Sequence, residues 1–262
     1  MIKRLFNRND NIAILIAGIF SIIIGLGVAR FAFTGLIPAM LDDYLTIKFV
    51  GILASLNFAG YLSGSIFSIF VKDINFKVYL YRFGIFLAIS TTFILAYSDN
   101  NTLWMIGRVL AGFAGAMCLI VGTSIVMQKL TIKSKTKAMG IHFSGIGFSI
   151  LTTDLLARFV LSLNYTWRDS WAVLAVFAII LSLYSVYILS FDKEVKQNAV
   201  KVKFDISIFT PFVIVLIIAY FTEGVGFVVQ ATFLPDIINN LKGLEGYGSL
   251  TWTLVGVAGI PS

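Results

Sequence analysis

The sequence predicts an all-α integral membrane protein, and three observations lead there. Hydrophobic residues make up 58% of the 262 positions and charged ones only 13%. The mean hydropathy is +0.93. Such a composition cannot cover one apolar core with a water-compatible surface. The apolar residues also come in runs close to the roughly 20 that a helix needs to cross about 30 Å of hydrocarbon. Runs such as Trp171 to Phe191 are apolar on every face, without the alternation of a spanning barrel strand.

Seven full runs fall at 12–41, 48–70, 79–98, 103–128, 138–163, 169–191 and 206–238, and an eighth starts near Ser249. The first follows Lys3, Arg4 and Arg8 but is about twice the length of a signal-peptide core and lacks a small-residue cleavage site, so it is kept as helix 1. The eighth has room for about 21 Å of helix before Ser262, so the chain is expected to be incomplete, ending within helix 8. The single Cys118 lies in an apolar run and is expected to be a packing residue.

Leaving out Arg30, Arg108 and Arg158 within the runs, Lys and Arg are distributed very unevenly. One side collects Lys3, Arg4, Arg8, Lys72, Lys77, Arg82, Lys129, Lys133, Lys135, Lys137, Lys193, Lys196, Lys201 and Lys203, the other only Lys48, Arg168 and Lys242. The amino terminus is therefore expected to be cytoplasmic. Topology accounts for the net charge of +7 without nucleic acid, and anionic lipid headgroups are the expected neighbours.

The one long polar stretch, 192–205 (DKEVKQNAVKVKFD), follows the sixth run on the cytoplasmic side. It divides the chain into a six-helix bundle at 1–191, a linker at 192–205, and the start of a second bundle at 206–262. Helix 7 restarts the pattern of helix 1: Gly27 precedes Pro38, and Gly224 precedes Pro235, by the same eleven residues. Two six-helix halves in parallel repeat would make a twelve-helix protein of roughly 400 residues, the plan of major facilitator transporters.

Several stretches resemble those of the major facilitator superfamily, in particular its YbfB/YjiJ-type branch. They are GLGVARFAFTGLIPAM (25–40), LASLNFAGYLSGS (53–65), GIHFSGIGF (140–148) and EGVGFVVQATFLPD (223–236). Two more general superfamily patterns are RVLAGFAGA (108–116) and WRDSW (167–171). The resemblance covers the whole chain. It implies a major facilitator fold with a complete amino-terminal half, helix 7 and part of helix 8. The implied function is that of a secondary active transporter moving a small solute by alternating access, coupled to protons. The segment 64–78 keeps only fragments of the superfamily's gating signature, and helix 5 has Gly145 and Gly147 without the proline of drug antiporters, which argues against drug/proton antiport.

Charges inside the runs are the candidate site, because an arginine at the bilayer centre costs about 2.5–3.5 kcal/mol on insertion scales. Arg30 on helix 1 and Glu223 on helix 7 occupy matching helical faces about one turn apart under the repeat offset, and the resemblance places both helices along the central cavity. In the functional reading Glu223 exchanges a proton while Arg30 binds an anionic group or tunes that proton. In the structural reading the two form a static ion pair. Arg108 on helix 4 should point inward, either for coupling or to bond carbonyls of a neighbouring helix. Asn57, Tyr61 and Gln230 complete the primary set. Secondary candidates are His142, Asp154 and Arg158; the last two, four residues apart, can neutralise each other within helix 5. A lone histidine is a poor metal site, and neither metal nor cofactor is expected. Gly60 and Gly64 should mark a close helix crossing.

An enzyme is not expected, since HExxH, GxSxG and phosphate-loop motifs are missing, and scattered single charges do not suit a channel. A non-transporting remnant or a transporter-derived membrane sensor is the alternative. The expected partners are a small, possibly anionic solute, protons and lipids, with the full-length protein a monomer and the 262-residue chain inactive in transport by itself.

Overall fold

The computed structural model describes residues 6–41, 43–131, 135–190 and 208–261; the expected linker at 192–205 lies outside them. The described residues form helices without strands: α1 (Asn11–Leu41), α2 (Ile47–Phe70), α3 (Ile74–Tyr97), α4 (Asn101–Lys129), α5 (Lys135–Ser162), α6 (Trp167–Ile188), α7 (Pro211–Asn239) and α8 (Gly248–Ala258). Seven of them, α1 to α7, are long and apolar enough to cross a membrane. The runs seen in sequence reappear with ends moved by a few residues, because polar caps extend or stop them. Asp73 accepts from the Phe76 amide and starts α3 earlier. Thr166 and Asp169 form a reciprocal capping box at the start of α6. Thr210 caps α7, with Pro211 in its first turn, where a missing N–H costs nothing.

The interior is built by small residues at helix crossings. A Cβ on Gly60 would lie 1.9 Å from the carbonyl oxygen of Val109, and one on Gly112 1.9 Å from that of Asn57, so α2 and α4 touch backbone to backbone. Gly64 continues this seam against Ala116 and Phe113, giving the close crossing expected of that pair. Around it pack α1, the most deeply buried helix, with Trp104, Trp171 and Tyr81 fully enclosed. On the other flank Gly147 meets Gly259 and Gly256 meets Leu151, which brings α8 against α5.

Two helices depart from regular α geometry. Ile23–Phe31 of α1 and Met117–Val121 of α4 are wound as π-helix. They face each other, since a Cβ on Gly25 would fall 2.3 Å from that of Cys118. The wider turns leave carbonyls for side chains: Ser21 donates to the Cys118 carbonyl at 2.9 Å, and Arg108 to the Ala29 carbonyl at 3.1 Å. Helix α5 is interrupted by a turn at Ser144, between Lys135–Phe143 and Gly145–Ser162.

Candidate functional site

Arg108 sits in the α2–α4 seam and is 2% exposed. Its Nε donates to the Leu53 carbonyl at 3.4 Å, its Nη1 to the Ala29 carbonyl at 3.1 Å, and its guanidinium carbon lies 4.2 Å from the Phe33 ring centre. Asn57, 1% exposed, donates from Nδ2 to the Arg108 carbonyl at 3.1 Å, which fixes its amide orientation. Its Oδ1 is buried and accepts no hydrogen bond.

Arg30, the last-turn cation of the α1 π segment, is held differently. Its guanidinium lies 4.1 Å from the Phe58 ring centre, 5.0 Å from that of Tyr61 and 5.6 Å from that of Phe31. Such cation–π contacts satisfy the faces of the group and leave its N–H edges available. Arg30, Arg108 and Asn57 line one interior cavity of about 20 Å³, with Thr34, Thr232 and Phe31 completing it. That volume suits about one water molecule. Among the described residues no carboxylate lies within ion-pair distance of either arginine.

Two larger spaces adjoin this centre. Phe31 also lines a chamber of about 280 Å³ whose other walls include Ile146, Ile150, Trp252, Val255 and Gln230. Arg30 and Tyr61 also line an open groove of about 580 Å³ with Tyr220 and Phe227 of α7, and Phe227 is a wall of the chamber as well. Sequence reasoning missed the chamber, because its apolar walls look like any other packing residues.

The structure does not bring Glu223 into ion-pair contact with Arg30; its side chain is exposed. A helical wheel fixes direction around each axis but not the separation between axes. Along α7 the exposed half is 211–227, while the packed half, with Thr232 and Pro235 buried, lies nearer the α8 end. Phe227, not Glu223, shares the groove with Arg30.

The secondary candidates lie elsewhere. Asp154, 2% exposed, contacts Arg158 at 3.0 Å within α5 and accepts from the Thr253 hydroxyl of α8 at 2.5 Å. His142 is buried, with Nε2 2.8 Å from the Thr123 hydroxyl and Nδ1 without a hydrogen bond, beneath Gly18. No cluster of three His, Cys, Asp or Glu able to hold a metal occurs among the described residues.

Seven membrane-length helices among the described residues, four of them lining a polar centre with two arginines, define a multi-pass membrane protein. The family model described as "Uncharacterised MFS-type transporter YbfB" matches residues 22–262, and the chain belongs to that family, with its all-helical major facilitator fold. It is also 24% identical over 161 residues to a protein named "Protein TsgA homolog" from Buchnera aphidicola subsp. Baizongia pistaciae (strain Bp), a match covering 60% of this chain and 41% of that protein.

Proposed function

We propose that this protein moves a small anionic solute across the bacterial inner membrane by alternating access, in exchange for or together with protons. The observation that carries the reading is the convergence of Arg30 and Arg108 on one interior cavity with no carboxylate in ion-pair distance among the described residues. Two cations at bilayer depth, each costing about 2.5–3.5 kcal/mol on insertion scales, need negative charge or water at the site, and a bound anion supplies both charge and hydrogen-bond acceptors. The six helices of 1–191 form one half of the path, and 206–262 contributes the start of the second. Coupling calls for a carboxylate that loads and releases a proton as access alternates, and Glu223 on the α7 side keeps that role here. The cations at one end of the helices, including Lys72, Lys77, Lys129 and Lys135, face the cytoplasm and its anionic lipids, so the amino terminus is inside; the full-length protein works as a monomer.

The test is proton flux in membrane vesicles that carry the full-length protein, loaded with a pH-sensitive dye and challenged with a panel of small carboxylates. A carboxylate-dependent flux is expected, abolished in Arg30→Ala and strongly slowed in Glu223→Gln. Wild-type flux from both variants, at equal membrane levels, overturns the reading.

A further inference from the structure

We infer that the solute is an amphipathic monocarboxylate, its carboxylate between Arg30 and Arg108 and its apolar body in the chamber beyond Phe31. This rests on the anion reading above and adds the substrate class. The head site is small: about 20 Å³ admits a group on the scale of a water or a carboxylate oxygen, not a phosphate with its shell of oxygens. The adjoining chamber is more than ten times larger, at about 280 Å³, and Phe31 is a wall of both. Ile146, Ile150 and Val255 are apolar, Trp252 adds its indole ring, whose buried Nε1 has no hydrogen bond, and Gln230 brings the one amide. A chamber of this kind holds water poorly and gains free energy by taking up hydrocarbon.

The head site also leaves one acceptor waiting for a donor, which a carboxylate, itself acceptor-only, does not supply. Asn57 Oδ1 is buried without a donor, while its amide nitrogen is already committed to the Arg108 carbonyl. An acceptor left unsatisfied in such a place is costly, so a donor belongs beside it: the single water that the cavity admits before solute binds, or an O–H or N–H on the solute next to its carboxylate. The arginines offer the complementary donors. Arg30 has all its N–H edges uncommitted to protein acceptors among the described residues, and its stacking on Phe58 holds the guanidinium plane in place. Charge at one end and hydrocarbon at the other is thus what the paired spaces recognise together.

Isothermal titration of the 262-residue protein in nanodiscs, with empty nanodiscs as the partition blank, tests this using acetate, butyrate, hexanoate and hexylamine as probes. Affinity is expected to rise from acetate to hexanoate by up to about fourfold per methylene, the factor for burying one CH₂. Arg30→Gln is expected to abolish binding of all three acids. Ile146→Trp, which fills the chamber from a half-buried position, is expected to flatten the dependence on chain length. Acetate and hexanoate binding equally, both through Arg30, overturns the amphipathic assignment and leaves the anion reading standing. Hexylamine binding as tightly as hexanoate with Arg30→Gln indifferent, or no probe binding at all, overturns both.

Discussion

Arg108 reaches from α4 to the π segment of α1, where its Nη1 donates to the carbonyl of Ala29 at 3.1 Å, while its Nε donates to Leu53 of α2. One guanidinium therefore ties three helices, and only its planar fork of donors can serve carbonyls on two of them at once. Arg108→Lys keeps the charge but not the fork, so at least one buried carbonyl loses its donor. A loss of about 1–3 kcal/mol is expected on that ground. Thermal unfolding of the purified variant in nanodiscs checks it, and an unchanged midpoint would show that the carbonyl contacts contribute nothing.

The α2–α4 crossing makes a sharper steric demand. A methyl group on Gly112 would stand 1.9 Å from the Asn57 carbonyl oxygen, whereas one on Gly224 or Gly140 meets nothing within 4 Å. Gly112→Ala must push the two backbones apart and disturb Asn57 and Arg108 with them, costing about 1–3 kcal/mol or more. Gly224→Ala, in an exposed helical position, is expected to be neutral or to stabilise by up to about 1 kcal/mol. Membrane levels and unfolding midpoints of the pair give the comparison.

At the end of the bundle that holds the 41–47 loop, three segments are locked through the WRDSW stretch. Arg168 pairs with Asp99 and stacks 4.3 Å from the Trp167 ring centre, Trp167 Nε1 donates to Asp43 at 2.9 Å, and the Tyr44 hydroxyl lies 2.8 Å from the Asp99 carbonyl oxygen. Desolvation and then Asp99 hold the Tyr44 phenol above its usual pKa, so it remains a donor at physiological pH. Asp169 closes the capping box with Thr166 and, being a cap, outweighs the exposed ion pair. Asp169→Ala is expected to cost about 1 kcal/mol and Asp99→Ala less than that, measured as shifts in the denaturation midpoint. The reverse order would mean that the ion pair, not the cap, fixes this end.

The helices were legible in the sequence because continuous hydrophobicity over about 20 residues has few other outcomes in water or lipid. The inward placement of Arg108 and the α5 pair of Asp154 with Arg158 followed from spacing along a single helix. What spacing could not give was anything decided between helices. The π turn that presents Ala29 to Arg108 depends on Gly25 lying against Cys118, and neither residue signals it alone. The same holds for Glu223, whose azimuth on α7 was readable but whose distance from Arg30 was not. The chamber behind Phe31 arises where four helices meet, a fact with no trace in any one of them.

Thr253 of α8 donates a side-chain hydrogen bond to the buried Asp154 of α5, at 2.5 Å, on a seam that also contains Gly147, Gly256 and Gly259. Asp154 is thus shared between Arg158 of its own helix and a hydroxyl of α8. Removing the carboxylate charge with Asp154→Asn leaves Arg158, whose side chain is 25% exposed, able to turn toward water, so the penalty should fall below the 3–5 kcal/mol of a fully buried broken pair. Thr253→Val leaves a carboxylate oxygen short of a donor. The two changes touch the same contact and should therefore not add. A double-mutant cycle on unfolding in nanodiscs is expected to give a coupling of about 1–3 kcal/mol, in the range for residues in one hydrogen-bond network. Strict additivity would mean that α8 is held to α5 by its glycine seam alone.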